Sequence, residues 1–402
     1  MLSVGIDVSK GKSTIAVINE LGEVIESPKD YRHQKEDLDN LVSMLNKLGK
    51  DNLKIVMEST GVYHRPVLYY LKSYGFFVSS INPLKMKKYL NNLNYRGVKT
   101  DKVDSLAISQ YGIDNWFHLK DEESKRDSIY DELRRLERQY LTLVKTKAAL
   151  TLNLDHIIDQ VAPGINKLFG GYSYQYKTNH LADFLETFWH YDLINKLSYK
   201  QFERKYDIWV KKKGYKSRDN KPAKVYELAL NSIPTIPPDE TTKFMVLSSI
   251  KSLRNLSDEL TSMLTRMDEL AKQLKEYEVV KAMPCVGETL RPLLIAEIGD
   301  ISRFHSADSL IAYAGIDVPP YQSGQYDAKN RHITRKGSSE LRKLSFQVVK
   351  MIYMLKPQND TKVLDFIIKK KEEGKPHKVC LVAGMNKFLR IYYARVKEVY
   401  TK

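Results

Sequence analysis

The sequence predicts an α/β domain over residues 1–115, a helical coiled coil over residues 116–280 with an insertion at about 160–250, and a mainly α C-terminal domain over residues 281–402. Three observations predict it. Short β-rich runs and helices alternate at the start, two heptad seams occupy the middle, and the last part opens with helical segments on either side of a Pro-Cys-Val-Gly turn.

The elements follow in order. "LSVGIDVSK" and "STIAVIN" are β-rich runs, and "LGEV" turns into a third, an opening three-stranded meander. "LDNLVSMLNKLG" has helical spacing and a closing glycine. "LKIVMEST" is a fourth strand, followed by the helix "YHRPVLYYLKSYG" and a fifth strand, "FFVSSINP", which Pro83 ends. The helices "LKMKKYLNNL" and "DKVDSLAISQYG" complete a set whose order is that of a ribonuclease-H-like α/β domain.

Charge and composition limit the partners. The chain of 402 residues carries a net charge of +16, which points to a polyanion, nucleic acid before membrane. From Lys329 to Lys402 there are 19 Lys and Arg against 6 Asp and Glu. Two distant cysteines, Cys285 and Cys380, provide neither a zinc site nor a disulfide framework. The first residues lack the charged start and long apolar core of a signal peptide, and no apolar run approaches the length of a membrane span. A cytoplasmic, nucleic-acid-facing protein is expected.

In "KTDKVDSLAI", Asp101 and Asp104 stand three apart, on one face of one helical turn, where like charges repel. Asp7 lies along the first strand and Glu58 at the end of the fourth, strands that are neighbours in this fold order. The helix carrying Asp101 and Asp104 is expected to cover the same sheet edge. Four carboxylates in one place do not all stay ionised without cations. Two hard divalent ions bridging them and phosphate oxygens is the standard arrangement for phosphodiester chemistry. Singly, each acid has a plainer reading: Asp7 as an edge residue, Glu58 as a turn acid, and Asp101 and Asp104 as first-turn acids complementing the helix dipole.

Leu133, Leu136, Tyr140, Leu143, Lys147, Leu150, Leu154 and Ile157 form one heptad seam, and Leu253, Leu256, Leu260, Met263, Met267, Leu270, Leu274 and Tyr277 a second. Such seams are structural, serving dimerisation or an antiparallel hairpin between the two helices. Between them, "FGGYSYQYKTNH" and "VKKKGYKSRDNKPAK" interleave tyrosine with lysine, which suits RNA or single-strand contact as well as an ordinary solvated insertion. Further on, Pro284-Cys285-Val286-Gly287 between helical segments resembles a helix-hairpin-helix turn. Ser323, in a polar loop, precedes the basic residues Arg331, Arg335, Lys336, Arg342 and Lys343. A turn serine is the default reading; a serine attacking phosphorus needs cationic or metal stabilisation of the developing charge.

At these residues the chain resembles a known family. "GIDVSK", "MESTG" and "KTDKVDSLAI" look like the DEDD tetrad of the bridge-RNA-guided insertion-sequence transposases, the "IS one-ten" family. "MPCVGETLRPLLIAEIGDISRF", "AYAGIDVP", "QSG" and "ITRKGSSELRKLSFQ" look like its C-terminal transposase domain, and the Piv-type DNA invertases share both halves. The resemblance implies a RuvC-like domain, a coiled coil and a serine-bearing domain in a transposase or site-specific recombinase. It implies Mg2+ bound by Asp7, Glu58, Asp101 and Asp104, and Ser323 as a nucleophile linked covalently to DNA. It also implies donor and target DNA as partners, a noncoding bridge RNA, and a homodimer assembling to a tetramer whose composite site forms between subunits. Lys99 and the five basic residues after Ser323 are then nucleic-acid contacts. One departure stands out: the family has two glycines after the serine, whereas Gln325 follows Gly324 here, which leaves Ser338 and Ser339 as rival nucleophiles. Readings from other classes are a metal-dependent RuvC-like Holliday-junction or DNA nuclease using water, and an RNA-binding protein without catalysis.

Overall fold

The computed structural model of the chain describes residues 1–59, 61–93, 100–122, 128–170, 179–215, 220–320, 322–323, 326–327 and 331–401. The chain divides into two compact units, Met1–Arg126 and Asp127–Lys402.

The first unit opens with β1 (Leu2–Val8), β2 (Lys12–Asn19) and β3 (Val24–Arg32). Then come α1 (Lys35–Leu48), β4 (Leu53–Glu58), α2 (Arg65–Ser73), β5 (Val78–Ile81), α3 (Pro83–Leu93) and α4 (Asp101–Asp114). The five strands make one sheet in the order β3-β2-β1-β4-β5. β1 pairs antiparallel with β2 and β2 with β3, whereas β1–β4 and β4–β5 are parallel. The mixed sheet and its element order agree with the sequence expectation.

Alternation assigns the two faces of the sheet. Val4, Ile6, Val8, Ile15, Val17, Ile55 and Met57 pack with Leu38, Leu41, Leu45, Val67, Leu68 and Leu71 of α1 and α2. Val56 and Ile81 turn the other way, into a smaller core with Met86 of α3 and Ile108 and Tyr111 of α4. Ser3, Gly5 and Asp7 occupy this second face of β1. A Cβ on Gly5 would lie 2.2 Å from the Ser105 carbonyl oxygen, and one on Gly112 would lie 2.1 Å from Ser3 Oγ, so α4 rests directly on β1. Small residues at both contacts let the backbones approach.

The second unit is helical. Its two long helices, α5 (Ile129–Val161) and α11 (Glu240–Ala271), are separated by α6 (Ile165–Phe169), α7 (His180–Thr187), α8 (Tyr191–Asn195), α9 (Tyr199–Lys213) and α10 (Lys221–Asn231). Leu133 and Tyr140 of α5 share a core with Leu260, Met267 and Leu270 of α11. Leu154 and Ile157 share a different core with Val246, Ile250 and Leu253. The start of α5 therefore meets the end of α11, and the helices run antiparallel within one chain.

The second seam is shorter than expected. α11 stops at Ala271, Leu274 lies in the turns that follow, and Tyr277 opens α12 (Tyr277–Lys281). Tertiary contacts hold the chain in this arrangement: Tyr277 Oη donates to Asp268 Oδ1 at 2.9 Å and accepts from Arg291 Nη1 at 2.6 Å, tying α12 to the last turn of α11. The segment expected as an insertion carries helices whose Phe184, Phe188, Tyr191, Phe202 and Trp209 pack into the same core as Leu154 and Ile157 of α5 and Val246, Ile250 and Leu253 of α11.

Beyond α12 the chain continues through α13 (Leu290–Ile298), α14 (Ala307–Ala314), the short hairpin β6 (Gln322–Ser323) and β7 (Tyr326–Asp327), α15 (Ser339–Leu355), α16 (Lys362–Glu372) and α17 (His377–Thr401). The segment Pro284–Gly287 joins α12 to α13, with Cys285 in the left-handed region at φ 59°. Among the described residues no helix is long and apolar enough to cross a membrane.

Candidate active site

The sheet register places the acids before any side-chain argument is needed. β1 and β4 run parallel with Ile6 beside Met57, so one step further Asp7 and Glu58 stand on neighbouring strands, about 5 Å apart across the ladder. Asp7 is opposite Thr14 of β2, Thr14 is opposite Asp30 of β3, and Glu58 is opposite Ile81 of β5. Paired residues point to the same face, so Glu58, Asp7, Thr14 and Asp30 form one row across the sheet, on the face that α4 covers.

The contacts of α4 descend toward that row. Ser3 meets Gly112, and Gly5 meets Ser105 and Ser109. Two residues of strand rise by about 6.6 Å and a helix by 1.5 Å per residue, so the next position on this face, Asp7, falls under the first turn of α4. Asp101 and Asp104 lie in that turn. The turn is fixed by its N-cap, Thr100, in extended backbone, with its hydroxyl accepting from the Val103 amide at 3.3 Å. Asp7, Glu58 and Asp104 are half-buried and Asp101 is exposed.

A lysine joins the row to the helix. Lys12 Nζ donates to Asp30 Oδ2 at 2.9 Å and lies 3.5 Å from Asp101 Oδ2, and Thr14 Oγ1 donates to Asp30 Oδ1 at 2.6 Å. The hydrogen bonds from Lys12 and Thr14 hold the Asp30 carboxyl below its ordinary range, and Asp30 in turn raises the Lys12 ammonium. Both groups are solvent-exposed, so the pair is screened and contributes little to stability. Lys12, Thr14 and Asp30 escaped the reading of the sequence. The signal for them was the β1–β2 turn, whose length sets which β2 residue faces Asp7.

The donor set is all carboxylate oxygen, which suits a hard divalent cation. Among the described residues, however, no three His, Cys, Asp or Glu side chains lie close enough together to hold one ion. The backbone brings Asp7, Glu58 and the first turn of α4 to one edge of the sheet, with Asp101 beside Lys12.

The other site residues named from the sequence lie in the second unit or outside the description. Lys99 falls outside the described residues. Ser323 pairs with Tyr326 in the β6–β7 hairpin, and its side chain lies outside the description. Arg331, Arg335 and Lys336 are exposed before α15. Arg342 donates to the Ala314 carbonyl at 2.8 Å and so closes the end of α14, and Lys343 pairs with Glu340 at 3.7 Å. Ser338 caps α15, its Oγ accepting from the Leu341 amide at 2.9 Å.

A row of three carboxylates and Thr14 on a mixed sheet shares one chain with a helical unit, an arrangement that suits work on nucleic acid. The comparisons with known proteins make this specific. A DEDD-type family model described as a transposase matches residues 4–163, and the model of the transposase IS116/IS110/IS902 family matches residues 277–363. The pilin gene-inverting protein of Moraxella bovis is 22% identical over 350 residues, 86% of this chain and 80% of that protein. An uncharacterized 44.8 kDa protein of insertion element IS116 from Streptomyces clavuligerus is 20% identical over 98% of this chain and 94% of that one. Among solved structures, T. thermophilus RuvC in complex with a Holliday junction substrate matches 29% of this chain and 96% of that one, at 14% identity and a TM-score of 0.23. The chain belongs to the IS116/IS110/IS902 family of transposases, and it is a DNA transposase or recombinase.

Proposed function

We propose that this transposase cuts and rejoins DNA strands through a RuvC-like site on the first unit and a covalent phosphoserine at Ser323, guided by a noncoding bridge RNA and acting as a homodimer that assembles to a tetramer. What supports the first-unit half of this reading is the row Glu58–Asp7–Thr14–Asp30 beneath the first turn of α4, the turn that holds Asp101 and Asp104. These four carboxylates would hold Mg2+, which supplies charge neutralisation at a scissile phosphate. The residues of the chain do the rest. Lys12 holds Asp101 beside the row, Thr14 and Lys12 keep Asp30 ionised, and the hydroxyl of Ser323 supplies the nucleophile. Its oxygen bonds to phosphorus as the bond to the leaving DNA oxygen breaks, and that oxygen takes up the proton. Arg331, Arg335 and Lys336 would position the DNA backbone by phosphate contacts. Lys99 is the corresponding proposal on the first unit.

The test uses the full chain on DNA carrying the element ends, with and without RNA from the flanks of the gene. Asp101→Ala and Asp104→Ala should abolish strand cleavage and the binding of Mg2+ read by calorimetry, while leaving nucleic-acid binding within a few-fold. Ser323→Ala should eliminate the covalent protein–DNA adduct. An adduct mapping to Ser338 or Ser339 would move the nucleophile, and cleavage without an adduct would make the enzyme a water-using nuclease.

A further inference from the structure

The segment between the two matched family regions, residues 164–276, carries a surface of its own. Over residues 196–224 the sequence holds 11 Lys and Arg against 3 Asp and Glu. Much of this charge lies on α9, which buries Phe202, Tyr206, Trp209 and Val210 and leaves Lys200, Arg204, Lys205, Lys211 and Lys212 in solvent. Beside α9 is a cleft of about 480 Å³ lined by Phe188, Leu193, Leu197, Ile208 and Trp209, with Lys205 and Lys212 among the residues around it.

Two features separate this cleft from an ordinary surface dent. Phe188 and Trp209 are buried, and the Trp209 ring is fixed by donation of its Nε1 hydrogen to the Asp183 carbonyl at 3.2 Å, so the aromatic floor is built into the core. At its edge Ile208 is 58% exposed, an apolar side chain standing in water between two cations. Those cations are unpaired among the described residues. Lys213, the next residue along, is held by Asp183 at 2.7 Å and Glu186 at 3.4 Å, whereas Lys205 and Lys212 make no ion pair with any described residue. They lie two helical turns apart, about 10 Å along the axis.

We propose that this cleft is a docking site for single-stranded DNA. One unpaired base rests on the exposed Ile208, with the buried Phe188 and Trp209 behind it as a fixed apolar floor, and the phosphates on either side of it pair with Lys205 and Lys212. The charge complements a polyanion, and the family already gives the chain DNA as a partner. The apolar floor selects a single strand, because a duplex keeps its base faces stacked inside and offers only phosphate and groove edges. An apolar contact of this kind tolerates any sequence, since every base has an apolar face.

The experiment measures fluorescence anisotropy of labelled oligothymidylate on the full chain, against a strand of equal length whose bases are replaced by abasic residues. Lys205, Ile208 and Lys212 are all exposed, so Lys205→Ala/Lys212→Ala and Ile208→Glu should keep the native helical signal. The double variant should lower the slope of log affinity against log salt by about 1.4, for two phosphate contacts at about 0.7 each. Ile208→Glu should weaken the intact strand by several-fold more than the abasic strand, because the added carboxylate repels the phosphates of both strands and only the intact strand also loses an apolar contact to its base. Equal affinity of the native chain for the intact and abasic strands would overturn the proposal, as would unchanged binding in both variants. Preferential displacement of the oligothymidylate by equal-length duplex DNA, RNA or an acidic peptide would assign the surface to that partner instead.

Discussion

Gly5 of β1 and Ser109 of α4 meet backbone to backbone: a Cβ on Gly5 would lie 2.3 Å from the Ser109 amide nitrogen. This contact sets the height of α4 above the sheet, and with it the distance from the first turn of α4 to Asp7. The same closeness recurs at Gly112, where a Cβ would lie 3.0 Å from Val56 Cγ2. The candidate site thus depends on small residues well away from its carboxylates.

Gly5→Ala should destabilise the first unit by about 1–3 kcal/mol or more, the cost of overpacking a filled contact. Thermal unfolding followed by circular dichroism reads the change. Ser109→Ala should not rescue it, because the atoms nearest the added methyl include the Ser105 carbonyl and the Ser109 amide, both backbone. Recovery in the double variant would mean that the Ser109 hydroxyl, 2.4 Å away, was the only obstacle.

In the second unit a buried acid should make stability depend on pH. Glu137 of α5 is 1% exposed, and its Oε1 has no hydrogen-bond partner among the described residues. Burial first, then the charge of Glu297, pushes its carboxyl from an ordinary 4.5 up to about 9. Arg134 opposes the shift and Glu340 adds to it, while Tyr313 donates to Glu297 Oε1 at 3.1 Å. The native state then binds a proton that the unfolded chain releases, so stability falls as pH rises from about 4.5 toward 9. Glu137→Gln keeps a donor toward Glu297 and removes the titration. Its melting temperature should exceed the native one by a few degrees at pH 8 and match it near pH 5. Parallel curves for the two proteins would show that Glu137 does not titrate in this window.

Leu260 and Met267 of α11 are buried against α5 of the same chain. Substituting either by alanine should therefore cost about 2–5 kcal/mol of fold stability. Chemical denaturation reads that loss, while sedimentation of the folded fraction should show the native mass. Smaller assemblies at unchanged stability would mean that the seam joins subunits.

The sequence by itself determined the order of the first unit. β-branched runs, closing glycines and Pro83 define its strands and helices, and strict alternation in "LSVGIDV" separates the core-facing Val4 and Ile6 from Asp7. It also singled out Asp7, Glu58, Asp101 and Asp104, because acids at strand ends and on one helical turn are unusual in so basic a chain. It could not find Lys12, Thr14 and Asp30, which join the row only through the register of β1, β2 and β3. It could not end the second heptad seam either. Leu274 and Tyr277 keep the heptad spacing, yet the helix ends at Ala271 and Tyr277 bonds Asp268 and Arg291 instead of continuing it. The physical reason is the same in both cases. Periodicity and capping act between residues a few positions apart, whereas strand register and the contacts that follow α11 involve groups distant in sequence that meet only once the chain has folded.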